Sequence, residues 1–235
     1  MVEQDEVRVR LEHELERLAL DAGARPLLPP PTIPREVLER SGYFDAFPGR
    51  AMPMLADGAS FLPPAACYHV YSSLLGARLD APCLVTLATT CGRNEADASD
   101  HGGRLRRFRM REIVFVGAPD WVSQTRDDWM TRAAAFASFL GLSGAMEPAT
   151  DAFFGDPGRG RKLIQQLKKL KYELRMDAGQ DGVLAVASFN LHESFFASRF
   201  DIAMADGSPA ASGCAAFGIE RWSLAYLHHD HAHLR

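Results

Sequence analysis

The spacing of apolar and polar residues predicts two helices separated by extended chain near the start of the sequence. Apolar residues recur at helical intervals among charged ones over residues 3–22. Residues 29–31 are consecutive prolines, which exclude a helix there and favour extended backbone. The sequence TIPREVLERSG, residues 32–42, then predicts a helix that Thr32 caps and Gly42 ends.

Two apolar runs in the middle of the chain predict a long β-hairpin. The first, PCLVTLATTCG at residues 82–92, is rich in β-branched residues and is bounded by proline and glycine. The second is MREIVFVG at residues 110–117. Residues 93–108 between them, RNEADASDHGGRLRRF, are polar and contain glycine, so they predict an exposed, partly basic loop.

The second half of the chain alternates between predicted helices and strands. Helical spacing extends over residues 120–142 and begins again in residues 161–174. Residues 182–192 and 199–207 predict strands, and GIERWSLAYLHHDH at residues 218–231 predicts a final helix. Runs of strands with interspersed helices, several joined as hairpins, predict an α+β fold around a mostly antiparallel sheet.

Composition and charge are those of a globular protein and argue against nucleic acid and membrane partners. The 235 residues are 47% hydrophobic and 24% charged, and we expect one domain over residues 1–235. The net charge of −4 argues against holding nucleic acid by bulk electrostatics. The N-terminus is too charged for a signal peptide, and the longest apolar runs are too short to span a bilayer. We therefore expect a cytoplasmic protein with no membrane partner.

The four cysteines, Cys67, Cys83, Cys91 and Cys214, allow two interpretations. In a reducing compartment, widely spaced cysteines indicate a metal site or catalysis more than disulfides. Free cysteine is also a common small buried hydrophobe, so each can equally be a core residue.

Arginines beside the predicted hairpin and in the last helix indicate a phosphate ligand. Arg93, in the pattern Arg-x-Glu with Glu95, has a planar group suited to a phosphate, although such a pair is usually a surface ion pair. Phe108 is flanked by arginines, which is typical either of a purine-stacking surface or of a solvated basic face over a core residue. Arg221 lies in the first turn of the last predicted helix, where the helix dipole disfavours a cation unless a polyphosphate lies opposite.

Three motifs, in chain order, resemble the signature motifs of class II aminoacyl-tRNA synthetases: TIPREVLERSGYF, then CGRNE with RLRRF, then GIER. The stretches CYHVY, SFNLHESFF and GCAAFGIERW look like those of the amino acid:[carrier protein] ligases, relatives of the catalytic domain of the zinc-dependent archaeal seryl-tRNA synthetase. The resemblance runs from about residue 25 to residue 230. It implies a class II catalytic domain with a mostly antiparallel sheet flanked by helices.

The resemblance also implies a zinc ion that binds the amino group of the substrate. Its ligands match Cys67, Glu112 and Cys214, which thereby also become substrate-binding residues. Two thiolates and a carboxylate leave one tetrahedral position open, as catalytic zinc requires. Cys83 and Cys91 match no functional position, and we interpret them as buried strand residues.

For the nucleotide, the resemblance implies that Arg93 holds the α-phosphate of ATP and acts in catalysis with Arg221. Glu95 would contact the adenine side or the neighbouring loop. Phe108 would stack on adenine from one face and Arg221 from the other, with Arg221 also near the γ-phosphate. Mg²⁺ is expected with the ATP. Asn190 is a candidate for the substrate pocket, or else it satisfies backbone groups at a strand end.

The implied activity is ATP-dependent activation of a small amino acid to an aminoacyl-adenylate, followed by transfer to the phosphopantetheine thiol of a carrier protein. Two alternatives remain: a seryl-type tRNA-charging enzyme, and a catalytically silent homologue that serves as a binding subunit. We expect no tRNA-binding helical arm, which with the mild acidity argues against tRNA. A homodimer is expected because the first motif builds a two-fold interface in the family.

Overall fold

The computed structural model describes residues 2–54, 58–95, 103–151 and 168–233. Its helices are α1 (Val2–Asp21), α2 (Arg35–Ser41), α3 (Tyr43–Ala46), α4 (Cys67–Ser73), α5 (Pro119–Phe139), α6 (Phe195–Arg199) and α7 (Ile219–His233). Its strands are β1 (Arg25–Pro26), β2 (Ile33–Pro34), β3 (Met52–Pro53), β4 (Ser60–Leu62), β5 (Arg78–Leu79), β6 (Cys83–Gly92), β7 (Arg107–Gly117), β8 (Ala145–Pro148), β9 (Lys171–Asp177), β10 (Val183–Glu193), β11 (Ala203–Met204) and β12 (Ala211–Gly218). Within these residues, no helix combines the length and apolar character needed to cross a membrane.

Seven of the described strands form one sheet, in the order β1-β6-β7-β12-β10-β9-β8. β1 is parallel to β6, and every other neighbouring pair in this sheet is antiparallel. β6 and β7 pair from Cys83 with Val116 to Gly92 with Arg107, which confirms the predicted hairpin. Helices cover the sheet, so the predicted α+β fold with a mostly antiparallel sheet is confirmed.

The helix predicted from TIPREVLERSG is present, but its predicted cap is wrong. α2 begins after Pro34, which has extended backbone and no side-chain capping bond. The fixed φ of proline sets the start of the helix, and Thr32 lies too far upstream to cap it. Gly42 ends α2 with φ 72, a left-handed conformation that favours glycine.

Two other predictions are changed by tertiary structure. In the predicted strand over residues 199–207, only Ala203–Met204 is a strand, because α6 extends to Arg199. The predicted helical start at residues 161–167 lies outside the described residues, and Lys171–Asp177 form β9. The helical pattern therefore does not continue through the sequence KYEL.

The sheet separates two apolar clusters. Alternate residues of β7 enter different clusters: Ile113 and Phe115 pack with α1, α5 and α7, whereas Val114 and Val116 pack with α2, α4 and α6. This division follows from the two-residue period of a strand. Glu112 has the same parity as Val114 and therefore faces the second cluster.

Ion pairs attach α1 to the back of β7. Arg109 donates two hydrogen bonds to Glu12, at 2.9 and 2.8 Å. The buried Arg111 donates to Glu16 at 3.1 Å and to Thr86 Oγ1 at 3.1 Å. The strand that carries Glu112 is thus held from behind by the first helix.

Candidate metal and nucleotide site

Cys67, Glu112 and Cys214 meet although they come from three separate elements, α4, β7 and β12. All three are buried, and their ligand atoms lie within 4.8 Å of one another. The sheet register explains the meeting: Glu112 pairs with Ala216 and Cys214 pairs with Val114, which puts both side chains on one face. Cys67 reaches them from the first turn of α4, which packs on that face.

The bonding of Glu112 fits a cation site. Its Oε1 accepts a hydrogen bond from the Ala66 N–H at 2.7 Å, whereas its buried Oε2 has no hydrogen-bond partner. Burial raises the pKa of the Glu112 carboxyl. The hydrogen bond with Cys214, together with burial, raises the pKa of the Cys67 thiol well above its usual range. A divalent cation would displace the protons of all three groups and would balance the negative charges that result.

Three further side chains surround the sulfur of Cys214. Asn190 Nδ2 lies 3.4 Å from Cys214 Sγ, and His192 Nε2 lies 4.0 Å from it. The other ring nitrogen of His192 is 2.9 Å from the Tyr71 hydroxyl. Burial lowers the pKa of His192 to about 4, so its ring is neutral at pH 7.

Of these neighbours, only Asn190 was predicted from the sequence. Residue spacing could have identified the others: Asn190 and His192 are two residues apart in a predicted strand. Cys67 and Tyr71 are four residues apart on one face of α4.

Arg93 and Phe108 are in contact at the loop end of the hairpin. The Arg93 guanidinium carbon lies 5.2 Å from the centroid of the Phe108 ring, and its Nε donates to the Pro64 carbonyl at 2.8 Å. Phe108 and Glu112 are four residues apart on β7 and share one face, about 13 Å apart along the strand.

Glu95 joins two arginines next to this pair. Its carboxylate lies 2.9 Å from Arg50 and 3.1 Å from Arg104. Glu95 therefore ties the start of the hairpin loop to the returning arm.

Arg221 lies in the first turn of α7 and contacts the same arm. Its Nε donates to the Gly103 carbonyl at 2.7 Å and its Nη1 to the Ala185 carbonyl at 3.0 Å. Burial, with the positive charges of Arg93 and Arg104, lowers the pKa of Arg221. These guanidinium groups favour an anionic ligand.

The chain is similar to two named ligases over most of its length. It is 35% identical over 237 residues to amino acid--[acyl-carrier-protein] ligase 1 of Bradyrhizobium diazoefficiens, covering 88% of this chain and 72% of that protein. It is 34% identical to ligase 2 of the same organism, covering 85% of this chain and 68% of that protein. The chain belongs to the amino acid--[acyl-carrier-protein] ligase family. No protein-family model matches it.

The ligase also resembles seryl-tRNA synthetases. It is 30% identical over 186 residues to a type-2 serine--tRNA ligase of Methanocaldococcus jannaschii, covering 35% of that protein. The M. kandleri SerRS, solved in complex with A. aeolicus tRNASec, matches with a TM-score of 0.78 at 20% identity over 95% of this chain. The Pyrococcus horikoshii enzyme complexed with ATP matches with a TM-score of 0.70 at 20% identity. The ligase spans about half of each of these two solved chains, and the predicted class II fold is confirmed.

The ligase has an ion-pair network on the sheet face of Asn190 that was not predicted from the sequence. Lys171 Nζ lies 2.6 Å from Asp151 and 3.4 Å from Glu173. Lys171 pairs with Asn190 and Glu173 pairs with Ser188, so both share the face of Asn190. No strand was predicted at KYEL, and a strand period is needed to place these residues beside the site.

Proposed function

We propose that this ligase activates a small amino acid with ATP and transfers the aminoacyl group to the phosphopantetheine thiol of a carrier protein. In the first step the substrate carboxylate would attack the α-phosphorus and pyrophosphate would leave. In the second step the thiol would attack the aminoacyl carbonyl and AMP would leave. The main support is the buried group Cys67, Glu112 and Cys214 on the same sheet face as Phe108, in a chain of this family.

We propose that Cys67, Glu112 and Cys214 hold one zinc ion. Two thiolates and one carboxylate are a donor set that suits zinc, and the partnerless Glu112 Oε2 is an oxygen without another use. Zinc would supply an open coordination position for the neutral amino group of the substrate. Asn190, beside Cys214, would line the substrate pocket.

For the nucleotide, we propose that Phe108 and Arg221 bind adenine from opposite faces, with Arg221 also near the γ-phosphate. Arg93 would bind the α-phosphate and stabilise the charge that develops there. Its guanidinium carbon lies 5.2 Å from the centroid of the Phe108 ring, the proposed adenine surface, which supports this role. Glu95 would hold the hairpin arms around the nucleotide. Mg²⁺ would accompany ATP and neutralise pyrophosphate.

We also propose that residues 1–235 act as one catalytic domain within a homodimer. A self-contained site is supported by its span, since α4, β7, β10, β12 and α7 all contribute residues to it.

The decisive experiment is intact-mass analysis of a phosphopantetheinylated carrier protein after incubation with the ligase, ATP, Mg²⁺ and single amino acids. We expect the carrier mass to rise by one aminoacyl group with a small amino acid, and not with carrier that lacks phosphopantetheine. Charging of tRNA in place of the carrier would establish the seryl-type function. Absence of amino-acid-dependent ATP–pyrophosphate exchange with every amino acid would establish the silent homologue.

A further inference from the structure

A β-bulge in β10 contains His192 and lies beside Cys214, a member of the metal group Cys67, Glu112 and Cys214. β10 pairs with β12 through Asn190 with Cys214 and Leu191 with Gly213, and the next pair is Glu193 with Ser212. His192 is therefore the extra residue of the bulge. Bulges beside functional sites commonly redirect a side chain.

The backbone beside the bulge is strained. Glu193 has φ 49, in the left-handed region that residues other than glycine seldom occupy. Such strain persists where the surrounding structure imposes it, and it is concentrated at functional sites. Regular pairing would place His192 opposite Ser212, on the face of Cys214; the bulge leaves the ring near Cys214 but takes the His192 backbone out of the strand pairing.

Contacts on both sides hold the His192 ring. Its Nδ1 lies 2.9 Å from the Tyr71 hydroxyl, and its edge contacts Phe196 with ring centroids 4.9 Å apart. Tyr71 is itself fully buried and stacks on Phe196 at 4.4 Å. A neutral imidazole has one donor and one acceptor nitrogen. When the Tyr71 hydroxyl donates to Nδ1, the Nε2–H of His192 is directed at the sulfur of Cys214, 4.0 Å away.

We propose that His192, oriented by Tyr71, is a positioning residue that donates its Nε2–H to the Cys214 thiolate and sets the direction and charge of that sulfur toward the metal. This inference rests on the zinc site proposed above. An N–H donor withdraws charge from a thiolate, and such partners of metal ligands hold the ligand in place and tune the metal. Asn190 Nδ2 supplies a second N–H to the same sulfur at 3.4 Å.

The test compares His192→Phe, which keeps a ring against Phe196 but removes the donor, with Tyr71→Phe, which removes only the hydroxyl. Tyr43→Phe is the matched control, because Tyr43 is a buried tyrosine of the same apolar cluster. Zinc affinity is measured by competition with a chelator, and the thiolate-to-metal charge-transfer band is measured after Co²⁺ substitution. Neither readout depends on catalysis.

We expect His192→Phe to weaken zinc binding on the order of 10- to 100-fold and to shift the charge-transfer band, while the d–d bands stay tetrahedral. Tyr71→Phe should change both quantities in the same direction by less, and Tyr43→Phe should change neither. His192→Gln, whose amide retains an N–H, should recover part of the affinity.

Two results would overturn the inference. If His192→Phe has the zinc affinity and the charge-transfer band of the wild type, the ring does not act on Cys214. A change of the d–d bands to another coordination number would make His192 a metal ligand. If the wild-type ligase itself binds neither zinc nor Co²⁺, the zinc site fails first, so the two failures are distinguishable.

Discussion

Glu112 has a buried carboxylate with unequal oxygens. Oε1 is bonded to the Ala66 N–H, and the buried Oε2 has no hydrogen-bond partner. An unpaired buried carboxylate is costly, and burial accordingly raises the pKa of this carboxyl. In the proposed zinc site, the same oxygen would be a ligand atom.

Replacing Glu112 with glutamine tests this interpretation. The amide oxygen can still accept from Ala66, but the negative charge is lost. We expect Glu112→Gln to lose the zinc-dependent stabilisation of the wild type, which would be about 2.7 kcal/mol at a free zinc concentration 100 times the Kd. Its metal-free stability should change little. Urea unfolding with and without zinc measures both.

Glu220→Gln is the control for that variant. Glu220 is a partly buried glutamate whose carboxylate accepts the Arg109 N–H at 2.8 and 2.9 Å, away from the metal group. Its zinc-dependent stabilisation should equal that of the wild type. If Glu112→Gln also keeps that stabilisation, Glu112 is not a ligand.

The metal group could be predicted only through family resemblance. Cys67, Glu112 and Cys214 are far apart in sequence and have no local spacing that indicates zinc. The pairing of Glu112 with Ala216 and Cys214 with Val114 creates their contact, and strand register between distant segments is not encoded in a local pattern. The strand period places His192 two residues after Asn190, but the approach of that face to Cys214 again depends on register between distant strands.

Helices and strands whose conformation depends on residues close in sequence were predicted from local patterns. The β6–β7 hairpin, α1 and α7 follow from periodicity and boundary residues, and all three are present. α4 was given no element beforehand, and β9 was not predicted, since residues 161–174 were interpreted only as beginning helical. Their sequences are short, and contacts with the sheet decide their conformation.

The ion pair that attaches α1 to β7 can be tested by mutation. Glu12→Gln removes the charged partner of Arg109, so we expect the free energy of unfolding to fall by about 1 kcal/mol or less, because this pair is partly exposed. Glu14→Gln is the matched control, since Glu14 pairs with Arg17 on the same helix without contacting β7. Urea unfolding should show a smaller change for the control; an equal change would mean that the attachment adds nothing.

In the whole molecule, the central sheet lies between the supporting helices and the proposed metal site. α1, α5 and the apolar residues of α7 pack on one face, whereas the metal group and Phe108 lie on the other; the first turn of α7 also carries Arg221 of the proposed nucleotide site. A bound zinc would connect α4 to β7 and β12, because each provides one ligand.

Removal of the metal should therefore loosen one side of the sheet. We expect a chelator to speed amide hydrogen exchange at Ala66 and in Cys67–Ser73, while exchange in the middle of Pro119–Phe139 stays the same. Mass spectrometry of peptides from both helices, with and without added zinc, measures the difference. Equal acceleration on both faces would point to global destabilisation and against a local connection.

The same separation bears on protein engineering. Residues that pack α1 and α5 against the back of the sheet contact none of the proposed ligands, so stabilising substitutions there need not compete with activity. Residues around Cys214 have the opposite character, because the bulge and the strained Glu193 lie beside that proposed ligand. A search for thermostable variants of this ligase should therefore begin on the α1–α5 side and leave the β10 bulge unchanged.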